Sequence, residues 1–249
     1  MPKLTVTVIT RDEAANIDAA LASVAWADEI VVVDSGSTDD TVAIAARHTP
    51  RVETRAWPGY SAQKNYAASV ASHDWILSID ADERVTPELA GEIRGVLKNQ
   101  PPHGGYRIPR ATWYLGRWIR STDWYPDFQL RLYDRRRAQW NGRPVHESVK
   151  LGSGDPGVLH HDLQHYPYRE IRDHLATIDT YTTLAAAEWA AQGRRASITS
   201  LALHPPFAFL RNYVLRGGFK DGSAGFVVSA LNSYYVFLKF AKLWERRLD

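Results

Sequence analysis

The 249-residue sequence contains no cysteine. That absence excludes disulfides and thiolate metal sites, and it fits a reducing compartment. A secretory leader is not expected either. Met1-Pro2-Lys3 runs directly into Leu4-Thr5-Val6-Thr7-Val8-Ile9, which is too short for a signal core and reads as a buried strand. The chain is therefore expected in the cytoplasm. No G-x-G-x-x-G follows Ile9, which argues against a dinucleotide-dependent oxidoreductase. Internal repeats and low-complexity linkers are lacking as well. With 45% hydrophobic and 23% charged residues, composition excludes general disorder and leaves a globular chain able to bury a core.

Acidic residues are scarce in all but the first part. Residues 1–100 hold nine Lys and Arg against fifteen Asp and Glu, a net of −6, whereas residues 101–203 and 204–249 each carry +4. An acidic segment that binds phosphates needs a cation between them. The basic remainder suits an anionic acceptor or a membrane surface, and no nucleic acid is expected as partner.

Strand and helix patterns alternate through the first hundred residues. Strands are predicted over 4–9, 30–33, 51–55 and 75–79, with helices over 13–24, 39–48 and 61–72 and another opening at Pro87. This alternation implies a mostly parallel, doubly wound α/β sheet whose ligands gather beyond the carboxyl ends of the strands. Thr10-Arg11-Asp12-Glu13, Asp34 and Asp80-Ala81-Asp82 each follow a different strand, so they are expected to share one crevice. Residues 101–165 change to an aromatic stretch of strands and loops with Trp113, Tyr114, Trp118, Trp124, Tyr125, Phe128 and Trp140. Most of these rings are expected in a small core and one or two in contact with a ligand. A long helix is predicted from Tyr168 to Gln192 and stopped by Gly193. His204-Pro205-Pro206 is expected to break the chain before a last hydrophobic segment.

Two carboxylates at i and i+2 past a buried strand suit a hard cation. Mg²⁺ or Mn²⁺ takes one or two carboxylates and fills its other positions with phosphate oxygens and water. An aspartyl-nucleophile phosphatase also uses such a pair, but after its first strand and with Thr or Val two residues on. Here the pair follows the fourth strand, and Arg84 occupies that place.

Val33-Asp34-Ser35-Gly36-Ser37-Thr38-Asp39, Lys64-Asn65 and Leu77-Ser78-Ile79-Asp80-Ala81-Asp82-Glu83 together resemble glycosyltransferase family 2. Trp124-Tyr125-Pro126-Asp127, Arg131-Leu132-Tyr133, Val145-His146-Glu147 and Lys220-Asp221-Gly222-Ser223-Ala224-Gly225 are similar to its lipopolysaccharide core β-1,4-glucosyltransferase group. The resemblance implies a GT-A fold with a C-terminal helical extension and a metal-dependent transfer that inverts the anomeric centre. UDP-glucose is the implied donor and a saccharide or glycolipid of the lipopolysaccharide inner core the implied acceptor. By the same resemblance Thr10 and Glu13 contact the nucleoside, Asp34 the base or ribose, Asp80 the ribose or metal shell, and Lys64 the nucleotide. Asp82 is the implied metal ligand, and His146 is a candidate either for a further ligand or for orienting its neighbour. A polyprenyl-phosphate or protein acceptor, or a non-catalytic nucleotide-sugar-binding protein, is the alternative.

Inversion in one displacement requires a base for the acceptor hydroxyl. Many family members carry it in a Glu-Asp pair that this sequence lacks, and Asp127 and Glu147 are the two candidates. The expected organisation is a nucleotide-sugar-binding half (1–100), an acceptor-binding and catalytic half (101–165) and a helical extension (166–249). No charged residue occurs from Gly222 to Leu238. That run is shorter than the roughly 20 residues a spanning helix needs, and its basic flanks suit a helix lying on the cytoplasmic face of the inner membrane.

Overall fold

The structure, a computed structural model, describes residues 2–142 and 147–246. Strand and helix alternate from the start: β1 (Leu4–Thr10), α1 (Ile17–Ala22), β2 (Glu29–Asp34), α2 (Thr41–Ala45), β3 (Val52–Thr54), α3 (Tyr60–Val70) and β4 (Trp75–Asp80). Every residue of β1 is buried, as are five of six in both β2 and β4. Strands covered on both faces read as such continuous apolar runs, and the covering elements here are the crossover helices. The four strands pair in parallel in the order β3-β2-β1-β4, the doubly wound half expected of a GT-A fold.

After a tight turn come β5 (Glu83–Val85) and α4 (Pro87–Lys98). The Thr86 hydroxyl accepts the Leu89 amide at 3.1 Å, and Pro87 opens the helix. Leu89, Ala90, Ile93 and Leu97 then form one buried stripe, the three-and-four spacing of a helix lying on a core. The chain continues through β6 (Gly105–Tyr114), β7 (Arg117–Ile119), β8 (Asp127–Asp134), β9 (Ala138–Trp140), β10 (Val149–Leu151), β11 (Gly157–Val158) and β12 (Leu163–His165). β8 joins β4 antiparallel, and the sheet runs on as β8-β6-β12-β5, while β9 and β10 make a separate antiparallel pair. The aromatic stretch is thus strand and loop, as expected. Tyr106, Tyr114, Tyr133 and Trp140 are buried, which assigns them to cores.

The chain divides into two compact units, Met1–Arg110 with Asp127–Tyr166, and Ala111–Pro126 with Pro167–Asp249. The first holds the main core, built from β1, β2, β4, β6, α1 and α4. The second contains α5 (Ile171–Ala191), α6 (Ile198–Leu210) and α7 (Gly222–Glu245), with a π-helical turn at Arg211–Leu215 and a 3-10 turn at Gly218–Asp221. Here α7 packs against both α5 and α6.

One expectation fails in this unit. His204-Pro205-Pro206 does not break the chain, because α6 runs through all three residues. Proline costs a helix interior about 3 kcal/mol for its missing N–H, yet its fixed φ is helical. Pro205 is buried, and Ser233 of α7 donates to its carbonyl at 2.8 Å. The Lys220–Gly225 motif is likewise architectural. Asp221 accepts the Arg120 amide at 2.9 Å and the Ser121 hydroxyl at 2.5 Å. A Cβ on Gly225 would fall 1.9 Å from the Gly218 carbonyl oxygen, so only glycine permits that backbone approach.

Candidate active site

Parallel register aligns the strand ends of the first unit. Thr10 is paired with Asp34, Asp34 with Thr54, and Ile9 with Asp80, so the three motifs finish at one level of the sheet. The loops after β1 and β2 are tied together. Asp12 accepts the Thr38 amide at 2.7 Å, the Asp12 amide donates to Ser37 at 2.8 Å, and the Glu13 amide donates to Thr41 at 2.8 Å. Asp34 is buried, and one of its carboxylate oxygens accepts the amides of Gly36 and Ser37 at 2.9 and 3.0 Å. Its charge therefore shapes the turn at Gly36, where φ is +86°. The Glu13 carboxylate accepts the Asn16 amide at 2.8 Å. Thr10 differs from both, because its buried hydroxyl has no hydrogen-bond partner among the described residues.

Asp80 ends β4, and Ala81-Asp82 turn the chain into β5. Fully buried Glu83 closes the turn by accepting the Asp80 amide at 2.9 Å, and its other oxygen accepts Arg110 at 3.1 Å and Arg131 at 2.8 Å. Arg131, buried in β8, also reaches Asp80 at 2.7 Å. Lys64, buried on α3, approaches Asp80 from the other side at 2.9 Å. Its ammonium lies 4.5 Å from the centroid of Trp140 and 3.8 Å from Glu147. The neighbouring Asn65 exchanges two hydrogen bonds with the Trp140 backbone at 3.0 and 3.2 Å, which locks β9 over α3. Burial alone raises the Asp80 carboxyl, but Arg131 and Lys64 outweigh it and hold the group well below the carboxylate range. Arg131, penalised by the same burial, is driven upward by Asp80 and Glu83.

Asp82 has a different partner. Antiparallel pairing of β12 with β5 sets His165 opposite Glu83, and the His165 Nε2 lies 3.4 Å from the Asp82 carboxylate. Burial raises the Asp82 carboxyl and adjacent Asp80 raises it further, yet His165 and Arg110 bring it below its ordinary value. Among the described residues no three His, Asp or Glu side chains gather into a ready metal cage. Asp82 and His165 put one carboxylate and one imidazole side by side at the turn.

Asp127, the first residue of β8, is bound by Arg110 at 2.7 Å on one oxygen and by Gln129 at 2.6 Å on the other. Glu147 faces Lys64 and is partly exposed. The structure thus brings Lys64, Asp80, Asp82, Asp127 and Glu147 into one network, with Thr10, Glu13 and Asp34 at the adjoining strand ends. His146 lies outside the described residues. Sequence reasoning missed Glu83, Arg110, Arg131 and His165. The available signals were the third carboxylate directly behind Asp82 and the Arg131-Leu132-Tyr133 motif, to which no role was attached.

A family model, Glycosyl transferase family 2, matches residues 5–150. An uncharacterized glycosyltransferase of Rickettsia felis is 33% identical over 100% of this chain and 92% of its own length. A lipopolysaccharide core biosynthesis glycosyltransferase of Rhizobium meliloti is 28% identical over 99% of this chain and 94% of its own. Among solved structures, glucosyl-3-phosphoglycerate synthase from Mycobacterium tuberculosis, in complex with Mn²⁺, UDP-glucose and phosphoglyceric acid, is similar at 24% identity and a TM-score of 0.38. That match covers 45% of this chain and 44% of the synthase, so the chain spans less than half of that enzyme's length.

Proposed function

The chain belongs to glycosyltransferase family 2, and from that premise we propose that it transfers a hexose, glucose from UDP-glucose, onto the inner core of lipopolysaccharide with inversion. The observation that carries this reading is the DxD turn itself. Asp80 is clamped by two buried cations, while Asp82 faces an imidazole. The core-biosynthesis relative, which aligns with 99% of the chain, supports a lipopolysaccharide core acceptor. Residues 1–100 hold the donor, 101–165 receive the acceptor, and 166–249 form the extension, with the enzyme working at the cytoplasmic face of the inner membrane.

Asp82 and His165 fit a divalent ion such as Mn²⁺ or Mg²⁺, which accepts two protein ligands and completes its shell with phosphate oxygens and water. When bound, the cation supplies charge neutralisation for the departing diphosphate. The remaining roles fall to the chain. Each carboxylate oxygen has two acceptor positions, so Asp80 holds Lys64 and Arg131 and still accepts a ribose hydroxyl. Thr10, with its unpaired hydroxyl, and Glu13 and Asp34 beside it serve the nucleoside. Lys64 and Arg131 offset part of the acidic charge around Asp80, and the remainder is what the cation would neutralise.

The acceptor oxygen attacks the anomeric carbon as the bond to the diphosphate breaks, and the hydroxyl proton passes to a carboxylate. Glu147 is the base in this account. Both oxygens of Asp127 already accept strong donors, which suits a positioning residue that holds Arg110. The reading is tested by supplying radiolabelled UDP-glucose with inner-core lipooligosaccharide and fixing the anomeric configuration of the product by NMR. A new β-linked glucose on the core supports it. Label on polyprenyl phosphate or protein, or no transfer from any nucleotide sugar, would overturn it.

A further inference from the structure

Apolar side chains that a soluble core would cover are exposed along α6. Leu203, Phe207 and Leu210 recur at i, i+4 and i+7, which is one stripe of a helix. Leu203 is 67% exposed and Phe207 59%. Leu215, in the π-helical turn that follows, is 71% exposed. The opposite face of α6 buries Pro205 and Ala208. The stripe therefore points away from α7, against which α6 packs.

Charge around this stripe is predominantly positive, although Arg211 is paired with Asp123 at 3.6 Å and so is not among the cations offered to a partner. From Trp189 to Lys220 the chain carries Arg194, Arg195, Arg211, Arg216 and Lys220 and not one acidic residue. The next acid, Asp221, is buried and engaged by Arg120 and Ser121. We propose that the α6 stripe with Leu215 is a surface that inserts into the interface of an anionic lipid bilayer, with the remaining cations seated among the headgroups. An apolar helix face rimmed by Lys and Arg has the chemistry for such a surface. A twofold pairing of two copies through the same face would set the cations against their own counterparts. α7 has the length and composition to cross a membrane, but α5 and α6 pack on it. α7 exposes Phe226, Tyr234 and Phe237 of its own, and the more exposed pair, Leu203 and Phe207, is on α6, outside the uncharged run from Gly222 to Leu238.

The inference concerns lipid binding alone, so it is read without donor or acceptor, and its failure leaves the sugar-transfer reading intact. The probe is the full-length protein with vesicles of phosphatidylglycerol and phosphatidylethanolamine, against phosphatidylcholine alone. Wild type is expected to sediment with the anionic vesicles and to be released by about 0.5 M salt. Leu203→Asp/Phe207→Asp and, separately, Arg216→Glu/Lys220→Glu are each expected to lower partitioning at least about tenfold. All four side chains are exposed, and unchanged thermal melts check that these variants fold. Because the chain has no cysteine, Leu203→Cys carries a single environment-sensitive fluorophore. It should shift to the blue on anionic vesicles and stay unchanged on phosphatidylcholine alone. Absence of sedimentation, equal binding to neutral vesicles, or a label that does not respond to anionic vesicles would overturn the proposal. So would a lipid-free dimer abolished by Leu203→Asp/Phe207→Asp, which would assign the face to a second copy.

Discussion

Removing Glu83 tests the network on which the rest of the site depends. Its side chain is fully buried and holds three donors: the Asp80 amide at 2.9 Å, Arg131 at 2.8 Å and Arg110 at 3.1 Å. Glu83→Ala leaves Arg131 buried against Asp80 alone and strands a backbone N–H at the DxD turn. Breaking a buried ion pair by deleting one partner costs about 3–5 kcal/mol. At about 2–4 °C per kcal/mol for a chain of this length, the melting temperature should fall by about 6–20 °C. Circular dichroism melts and urea titrations measure it. Arg131→Met alone should cost a similar amount, because it unbalances Glu83 and Asp80. The double variant removes both charges together and should cost less than the sum by about 1–3 kcal/mol. A loss below about 1 kcal/mol for Glu83→Ala, or additivity within about 0.5 kcal/mol in the cycle, would refute the coupling.

Glu147→Gln should lower kcat by about 10²–10⁴-fold with donor binding kept. Asp127→Asn should act mainly on KM through Arg110, and steady-state kinetics on both variants would show the reverse pattern if Asp127 were the base. His174 gives a pH prediction. Burial pushes its imidazole down from 6.5 to about 4, where it pairs with the Tyr114 hydroxyl at 2.9 Å and stacks on Tyr168. The unfolded chain takes up this proton first, so stability is full above pH 6.5 and declines toward pH 4, by about 3 kcal/mol in all. His174→Phe should flatten that slope in urea titrations run across the window, and an unchanged slope would assign it to other groups.

Much of the fold was legible because β1, β2 and β4 are buried on both faces and so appear as unbroken apolar runs, with turn residues at Asp34 and Asp80. The Pro87 start of α4 was equally plain. The charge network was not. Glu83 meets Arg110 and Arg131 across 27 and 48 residues, through pairings of β4, β6 and β8 that no local pattern encodes, and such charges read as solvated. His165 was hidden for the same reason, since only the β12–β5 register carries it to Asp82. Pro205-Pro206 misled in the other direction. A local rule for chain breaks lost to the burial of Pro205 and a hydrogen bond from Ser233, neither of which is visible along the chain.

The central claim is that Asp82, with His165, holds a divalent cation for a nucleotide diphosphate. Calorimetric titration of the purified protein with UDP, with and without Mn²⁺, repeated on Asp82→Asn and His165→Ala, addresses it directly. The account predicts binding that requires the metal in the wild type, vanishes in Asp82→Asn and weakens in His165→Ala. Equal binding without metal, or metal-dependent binding that survives in Asp82→Asn, would contradict it.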